Sequence, residues 1–376
     1  MRYQSTVFGQ LLKEVPRGWF DRVAVTHHAG RAKRRLSPWA HLVSMVFAQF
    51  AGARSLRDVE RMLERQQGTF AHLDLQTVRR ATLSDANARR SAGLFEAVAT
   101  RLSGRLAGRG AKRAALRLID ATHIFAGRRV EQWSGGGLKL HVVFDPVLER
   151  PICFAVTPKR VNDITAAKLM PIEAGATYVF DKGYYDYGFW ARLHQQDCRF
   201  VTRLKKHASV RSCEERKAQG EGILFDRVVR LSERLASQRR NPLTEPVRLI
   251  GVKIDTGREI TLLTNDLTAS AIEIAGLYKA RWQVELFFKW IKQNLKIAHF
   301  FGTSRNAITI QIMAALIAYL LLRIAQLRFQ ADLGLQAIAR LMPAFVLARR
   351  PLQRVLDDPG PLPPASPRFQ MELAYA

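Results

Sequence analysis

Acidic residues are scarce in this chain of 376 residues. It has 32 Asp and Glu against 59 Lys and Arg, which gives a formal net charge of +27 and a pI near 10.8. A positive surplus of this size favours a polyanionic partner, with nucleic acid as the first candidate and an anionic membrane as the second. The 48% hydrophobic content supports a packed core and argues against a disordered chain.

Cysteine is also rare, and its pattern excludes two classes of protein. Cys153, Cys198 and Cys213 are odd in number and lack the spacing of metal ligands, so neither a disulfide framework nor a zinc site is expected. They are read as isolated thiols in a reducing cytosol, which predicts a cytoplasmic protein.

Long apolar runs are missing as well. The most apolar stretch, IMAALIAYLLL at 312–322, is too short to span a bilayer and predicts a buried helix. The N-terminus lacks the apolar segment of a signal peptide. Both observations weaken the membrane alternative and leave nucleic acid as the expected partner.

The first 110 residues predict a basic helical domain. Ser37 and Ser55 precede segments with helical apolar spacing and are N-cap candidates, and 83–102 predicts another helix. Such a domain could bind DNA, but basic helix faces are also common as simple solvated surfaces, and this pattern alone does not decide between them.

The pattern changes to strands near Ala115. Segments of 111–204 predict the order β-β-β-α-β-α-β, a mixed five-stranded sheet with helices, whose first helix begins at Asn162 or Asp163. Residues 205–270 predict a β-rich insertion and 271–345 a return to the same α/β domain. Residues 346–376 are read as a Pro-rich tail.

Three acids are placed where a ligand site would form. Asp120 lies on the first strand of this sheet, Asp181 ends the fourth, and Glu285 lies on a helix after the fifth. Open sheets bind ligands at the carboxyl ends of their strands, and the first and fourth strands of this order are normally neighbours. The three carboxylates are therefore expected to converge and to hold Mg²⁺ or Mn²⁺, with two ions per site suited to phosphoryl transfer.

The segment LYKARWQVELFFKWIKQNLK, 277–296, predicts one helix with two distinct faces. Four residues fall within an arc of roughly 60°, at about 100° per residue, and would present a carboxylate to the metals and cations to phosphates: Tyr278, Arg281, Glu285 and Lys292. Val284, Phe287 and Ile291 lie on the face expected to pack inward. The plainer interpretation is a surface ion pair between Arg281 and Glu285 at i,i+4.

These residues resemble a known family. Tyr278-x2-Arg281-x3-Glu285-x6-Lys292 is similar to the YREK signature of bacterial insertion-sequence DDE transposases of the IS-four family. LIDATH around Asp120 and VFDKGYYD around Asp181 resemble the family's two aspartate motifs. The segments YQSTVFGQLL, SLRDVE and TLSDAN resemble the N-terminal domain of one branch.

The resemblance implies an RNase H-like catalytic domain with Asp120, Asp181 and Glu285 as its DDE triad and metal ligands. It implies that Tyr278, Arg281 and Lys292 bind phosphates near the transposon end. Such enzymes bind terminal inverted repeats, cut DNA at the element ends and join the freed 3′-OH to target DNA, acting in the bacterial cytoplasm on two paired ends, which implies a homodimer. The insertion offers no aromatic residue that aligns with the family's base-stacking tryptophan, so a hairpin intermediate stays an open question.

Four further cations could contact the DNA backbone or could simply be solvated: Lys182, Arg203, Lys205 and Lys206. Trp282 and Trp290 are read as core residues, with stacking on a flipped base as the alternative. Asn162 and Asp163 are read as helix-capping residues, with a supporting role at the site as the alternative. His123 and His141 are read as structural. Two rival functions remain: a transposase-derived regulator that binds DNA without cutting it, and a two-metal nuclease without strand transfer.

Overall fold

The computed structural model describes most of the chain. The described residues are 5–27, 36–66, 68–107, 115–124, 137–205, 208–233, 240–254, 256–294, 300–358 and 360. Lys206 and most of the Pro-rich tail, which the sequence singled out, lie outside them.

The strands appear in chain order as follows: β1 (Leu116–Ile124), β2 (Leu138–Asp145), β3 (Arg150–Pro158), β4 (Thr177–Phe180), β5 (Arg199–Arg203), β6 (Val210–Arg216), β7 (Ile223–Leu231), β8 (Val247–Lys253) and β9 (Glu259–Thr264).

The helices are α1 (Val7–Leu12), α2 (Arg17–Thr26), α3 (Pro38–Phe50), α4 (Leu56–Arg65), α5 (Arg80–Arg89), α6 (Gly93–Ala107), α7 (Asp163–Leu169), α8 (Tyr187–Gln195), α9 (Ala271–Ala280), α10 (Trp282–Asn294), α11 (Arg305–Phe329), α12 (Leu335–Phe345) and α13 (Leu352–Asp357). Short 3-10 helices occupy Ala71–Leu73 and Lys182–Tyr184.

Contacts divide the described chain into two units. One contains residues up to Ala99, Gln293–Gly302 and the chain from Asn306 onward, and the other contains Thr100–Lys292 and Thr303–Arg305. The first unit is helical and the second carries the sheet. The domain boundaries predicted from the sequence stay predictions.

The nine strands of the described residues form one mixed sheet in the order β3-β2-β1-β4-β5-β9-β8-β7-β6. Its first five members are the five strands predicted from 111–204, with β4 parallel to both β1 and β5. The β-rich insertion continues this sheet, because β9 pairs antiparallel with β5. The sequence missed β6, since VRSCEER is charged and exposed along its length and shows no alternation of apolar and polar residues.

The parallel pairing of β1 with β4 places the two aspartates. Ile119 is directly opposite Phe180, and Asp120 and Asp181 are the next residue on each strand path. Apolar residues before them, such as Leu118 and Val179, are wholly buried and hold both strands in the core. The Asp120 and Asp181 positions therefore lie next to each other where β4 ends, in the interior of the sheet.

The helix predicted for 277–296 is interrupted, and that prediction was wrong in one respect. The α9 helix ends at Ala280 and α10 starts at Trp282, while the N–H of Arg281 bonds to the carbonyl of Tyr278 at 3.1 Å. The inward face is as predicted, since Val284, Phe287 and Ile291 are buried. Phe287 packs on Phe144 of β2, with ring centroids 5.0 Å apart, and so anchors α10 to the sheet.

The helical unit is built around α3 and α11. Ser37 and Ser55 are N-caps as predicted, and their hydroxyls accept from the N–H groups of Ala40 and Asp58 at 3.0 and 3.1 Å. The α11 helix has 25 residues and is long and apolar enough to cross a membrane by length and composition, yet its apolar window is wholly buried inside the protein. This agrees with the buried helix expected for 312–322.

The helix predicted for 83–102 is in fact two helices. The break lies between α5 and α6, where the side-chain amide of Asn306 donates to the carbonyl of Asn87 at 2.8 Å and its oxygen accepts from the N–H of Ala92 at 3.2 Å. Ser91 accepts from the N–H of Gly93 at 3.0 Å and so caps the start of α6. Asn306, which is distant in the sequence, thus bonds the backbone groups at the break. A local sequence pattern cannot reveal such a contact.

A buried ion pair in the insertion generates a test of stability. Arg248 donates to both oxygens of Asp226, at 2.7 and 2.6 Å, with both side chains about 5% exposed or less. We expect Asp226→Ala to lower the free energy of unfolding by about 3–5 kcal/mol, because the guanidinium would stay buried without its partner. Urea denaturation measures this change, and the double variant Asp226→Leu with Arg248→Met should lose less. Equal losses in both variants would contradict the buried-charge explanation.

Candidate active site

Asp120 is the most perturbed acid of the site. Its side chain is 18% exposed, and its Oδ1 accepts from the N–H of Ala121 at 2.8 Å. The pKa of Asp120 is raised to about 7, mainly by burial and to a smaller degree by the charges of Asp181 and Glu285, while the Ala121 N–H and Arg281 act to lower it. Asp181 and Glu285 are thus close enough to Asp120 for their charges to oppose its ionisation.

Asp181 is held by the short turn that follows β4. Its Oδ1 accepts from the N–H of Gly183 at 2.7 Å, and its carbonyl accepts from the hydroxyl of Thr202 on β5 at 3.2 Å. A Cβ on Gly183 would lie 2.9 Å from Asp181 Oδ1, which is closer than such contacts occur. Glycine at this position therefore allows the backbone to approach the carboxylate and fix its direction.

Glu285 and Asp120 share one guanidinium. Arg281 lies 2.7 Å from Glu285 Oε1 and 3.7 Å from Asp120 Oδ2, and its side chain is 17% exposed. The i,i+4 ion pair of the plainer interpretation therefore exists, but it is part of the acid cluster rather than a surface feature. A cation between two of the three carboxylates offsets their repulsion.

Tyr278 and Lys292 border the same cluster. The guanidinium of Arg281 lies 5.7 Å from the ring centroid of Tyr278, and burial raises the pKa of Tyr278 while the charges of Arg281 and Arg203 lower it. Lys292 is exposed as a whole, yet desolvation of its ammonium lowers its pKa and the charge of Asp120 raises it. All four residues of the predicted arc therefore lie at one site, although the helix breaks between them.

The other predicted DNA contacts lie on the surface around this site. Lys182 is exposed in the 3-10 helix beside Asp181, and Arg203 is half-buried near Tyr278. Lys205 is exposed and places its ammonium 4.6 Å from the ring centroid of Tyr185. Their contact with DNA remains a prediction, as does that of Lys206, which lies outside the described residues.

Asp163 does not act as a helix cap. Asn162 occupies the N-cap position of α7 without a side-chain hydrogen bond, while Asp163 Oδ1 accepts from the ammonium of Lys139 at 2.8 Å. His141 is buried beside this pair and shares a hydrogen bond of 2.7 Å with Thr157, and burial lowers its pKa to about 4. His141 is thus neutral near pH 7 and structural, as predicted.

The environments of Tyr184 and Trp282 differ from those that the sequence pattern indicates. Tyr184 follows Asp181 by three residues and is 1% exposed, yet its hydroxyl is oriented among charged groups of the site. The core position expected for Trp282 is wrong, because its side chain is 54% exposed, whereas Trp290 is half-buried. The sequence shows only that Tyr184 is an aromatic residue close to the Asp181 motif. That position is compatible both with a core residue and with a residue of the site.

The donor set fits a hard divalent cation. Carboxylate oxygens are the ligands that Mg²⁺ and Mn²⁺ prefer, and the guanidinium of Arg281 already supplies positive charge between Asp120 and Glu285. As the side chains stand, no three His, Cys, Asp or Glu residues of the described chain are arranged to hold one metal ion. Metal binding would require Arg281 to move away from at least one carboxylate.

Two parts of this chain match known protein families. Residues 112–321 match the family described as "Transposase DDE domain". Residues 3–76 match a second family, described as "Domain of unknown function (DUF4372)". The first match spans all three acids.

Two proteins and one solved structure are similar to this chain. The chain is 40% identical over 310 residues to "Putative transposase y4zB" of Sinorhizobium fredii (strain NBRC 101917 / NGR234), which covers 78% of this chain and 85% of that protein. It is 30% identical over 216 residues to "Probable transposase for insertion sequence element IS5377" of Geobacillus stearothermophilus, covering 55% and 56%. Among solved structures, the piggyBac transposase synaptic complex with hairpin DNA aligns with a TM-score of 0.48 at 11% identity, covering 93% of this chain and 80% of that one.

The raised pKa of Asp120 predicts a pH-dependent loss of stability without metal. The folded value of about 7 exceeds the ordinary value of 3.8, so the folded state binds the proton more tightly and stability falls as pH rises from about 4 through 7. The asparagine side chain of Asp120→Asn does not titrate in this pH range. In EDTA we expect this variant to exceed the wild type in free energy of unfolding by about 2–4 kcal/mol at pH 8, with a smaller excess at pH 5. Denaturant titrations at both pH values check this, and an excess that is the same at both would contradict it.

Proposed function

Because the chain belongs to the DDE transposases of bacterial insertion sequences, metal-dependent enzymes that cut and transfer DNA, we propose that Asp120, Asp181 and Glu285 are its catalytic triad and metal ligands. The proposal rests on the proximity of the three acids: the charges of Asp181 and Glu285 act on Asp120, and Arg281 lies between Asp120 and Glu285. The spacing of Tyr278, Arg281, Glu285 and Lys292 further supports membership of the IS-four, or YREK, subfamily.

We infer that the substrate is the terminal inverted repeat of an insertion sequence. Two Mg²⁺ or Mn²⁺ ions held by the triad would activate the attacking oxygen and stabilise the leaving oxygen of the scissile phosphodiester. Water attacks first and frees a 3′-OH at the element end. That 3′-OH then attacks a phosphodiester of the target, a new bond joins element and target, and the target's own 3′ oxygen leaves. No covalent bond to the protein is needed.

The side chains around the triad have separate tasks in this scheme. Asp120, whose pKa lies near 7, releases its proton when a cation binds. Arg281 exchanges its carboxylate partners for phosphate oxygens of the bound strand, and Tyr278 and Lys292 contact neighbouring phosphates. Lys182, Arg203, Lys205 and Lys206 extend the same cationic surface along the DNA backbone.

The assembly and location of the enzyme follow from its substrate. Two element ends must be cut and joined together, which favours a homodimer in the DNA complex. The chemistry takes place on bacterial DNA, so we place the protein in the cytoplasm, at the nucleoid when it is bound to DNA.

Two other functions share the charge and the family. A transposase-derived regulator would bind the repeats without cutting them, but the presence of all three acids favours an enzyme. A nuclease without strand transfer would use the same triad, and only its reaction products distinguish it from a transposase.

Replacing the third acid tests the assignment. Purified protein is incubated with a labelled duplex that carries the element's own terminal repeat, with Mg²⁺ or with EDTA. We expect nicking at the repeat boundary only with Mg²⁺. Glu285→Gln should reduce the nicking rate by more than about 100-fold, because losing a metal ligand should cost more than the roughly 10–100-fold typical when a partner of a ligand is removed. Repeat binding should change less than about threefold, because cations rather than this acid contact the backbone.

The control is Glu221→Gln, which removes a carboxylate from an exposed position before β7 and should cleave normally. Full cleavage by Glu285→Gln would show the triad assignment to be wrong. Binding without cleavage by the wild type under either metal would favour the regulator, and nicked products without joined products would favour the nuclease.

A further inference from the structure

Asp163 lies beside the Asp181 carboxylate, although the proposed triad does not include it. A Cβ placed on Gly183 would lie 2.9 Å from Asp181 Oδ1 and 3.9 Å from Asp163 Oδ2, so the two acids face one point. The other oxygen of Asp163 is engaged with the ammonium of Lys139 at 2.8 Å, which itself is bound to the carbonyl of Val161 at 3.0 Å. Asp163 is therefore fixed on one side and directed towards the site on the other.

The hydroxyl of Tyr184 supplies a second, independent observation. The residue is 1% exposed, and this hydroxyl has no hydrogen-bond partner among the described residues. Tyr184 lies in the 3-10 helix that Asp181 caps, and burial, together with the charges of Asp120, Asp163 and Asp181, raises its pKa well above the ordinary value. Buried hydroxyls normally have a partner, so an unpaired one directed into a charged site points to a bound ligand.

Neither residue is explained by packing alone. The ring of Tyr184 packs on Phe180, with centroids 6.0 Å apart, and phenylalanine would supply that contact equally well. Tyr178, on β4 in the same core, shows how a structural tyrosine behaves here, because its hydroxyl accepts from the N–H of Glu173 at 2.8 Å.

We propose that Tyr184 and Asp163 are positioning residues of the divalent-cation site, binding water molecules of the cation's hydration shell on the side of the sheet that α7 covers. Mg²⁺ and Mn²⁺ bound by few carboxylates keep several waters, which need hydrogen-bond partners in fixed places. The hydroxyl of Tyr184 can accept from such a water, and Asp163 Oδ2 can accept from a second. Lys139 holds Asp163 in the required direction. This inference rests on the proposed role of the triad as metal ligands.

The test measures Mn²⁺ affinity rather than cleavage. Mn²⁺ is titrated into the full-length protein and followed by calorimetry and by the electron paramagnetic resonance signal of free Mn²⁺, with and without a terminal-repeat duplex. We expect Tyr184→Phe and Asp163→Asn each to weaken Mn²⁺ binding about 10-fold, as is common when partners of metal-bound groups are removed. The matched control, Tyr178→Phe, also removes a buried tyrosine hydroxyl and should stay within about twofold of the wild type.

Two variants separate this inference from the proposed function. Asp120→Asn should abolish Mn²⁺ binding, and if it does not, or if the wild type binds none in either condition, the triad is not the metal site and both ideas fail. If Asp120→Asn abolishes binding while Tyr184→Phe and Asp163→Asn bind like the wild type, the triad stands and the positioning role is overturned. Unfolding curves show whether each variant is folded. If Tyr184→Phe does not fold, the Mn²⁺ affinity of Asp163→Asn alone decides whether the positioning role stands.

Discussion

The parallel pairing of β1 with β4 is the constraint on which the site depends. Its register places Ile119 opposite Phe180, so that the next residues, Asp120 and Asp181, lie side by side where β4 ends. A slip of one residue would reverse the face of every following side chain and separate the acids. The side chains of Leu118 and Val179 are wholly buried, and such a slip would disrupt the close packing around them. Core packing thus determines where the negative charge collects.

Concentrated negative charge is unfavourable, and the neighbouring residues offset it in different ways. Asp120 holds a proton up to about pH 7, Arg281 lies between Asp120 and Glu285, and Lys139 neutralises Asp163 on the opposite side. Under the proposed mechanism the first two arrangements would give way on binding, since a divalent cation would replace the proton of Asp120 and a phosphate would compete for Arg281. The metal-free site is therefore strained in a way that its substrate and cofactor would relieve.

Residues with a strong local pattern could be predicted from the sequence, and residues placed by distant contacts could not. The strands β1 to β5 and the Ser37 and Ser55 caps follow alternation and capping chemistry, which are local signals. The charged strand β6 forms only because β7 offers a partner, and the break at Arg281 has no Gly or Pro to mark it. Tyr184 reads as an ordinary core aromatic, because nothing in the sequence tells where its hydroxyl points. The three acids were singled out because their positions along the strand order are themselves a topological signal, and their catalytic role stays a prediction.

The insertion also holds the start of α9, the helix that precedes Glu285, through hydrogen bonds. Strand β9 pairs with β5, beside the strand that leads to Asp181. At its end, Asp266 is 5% exposed and accepts from the N–H groups of Thr268 and Ala269 at 2.9 and 3.0 Å. Arg248, paired with Asp226, donates to the carbonyl of Ala269, immediately before the N-cap Ser270. The start of α9 is thus bound to the sheet on both sides of the turn. A chain segment far from the acids in sequence thereby fixes the helix that leads to the third of them.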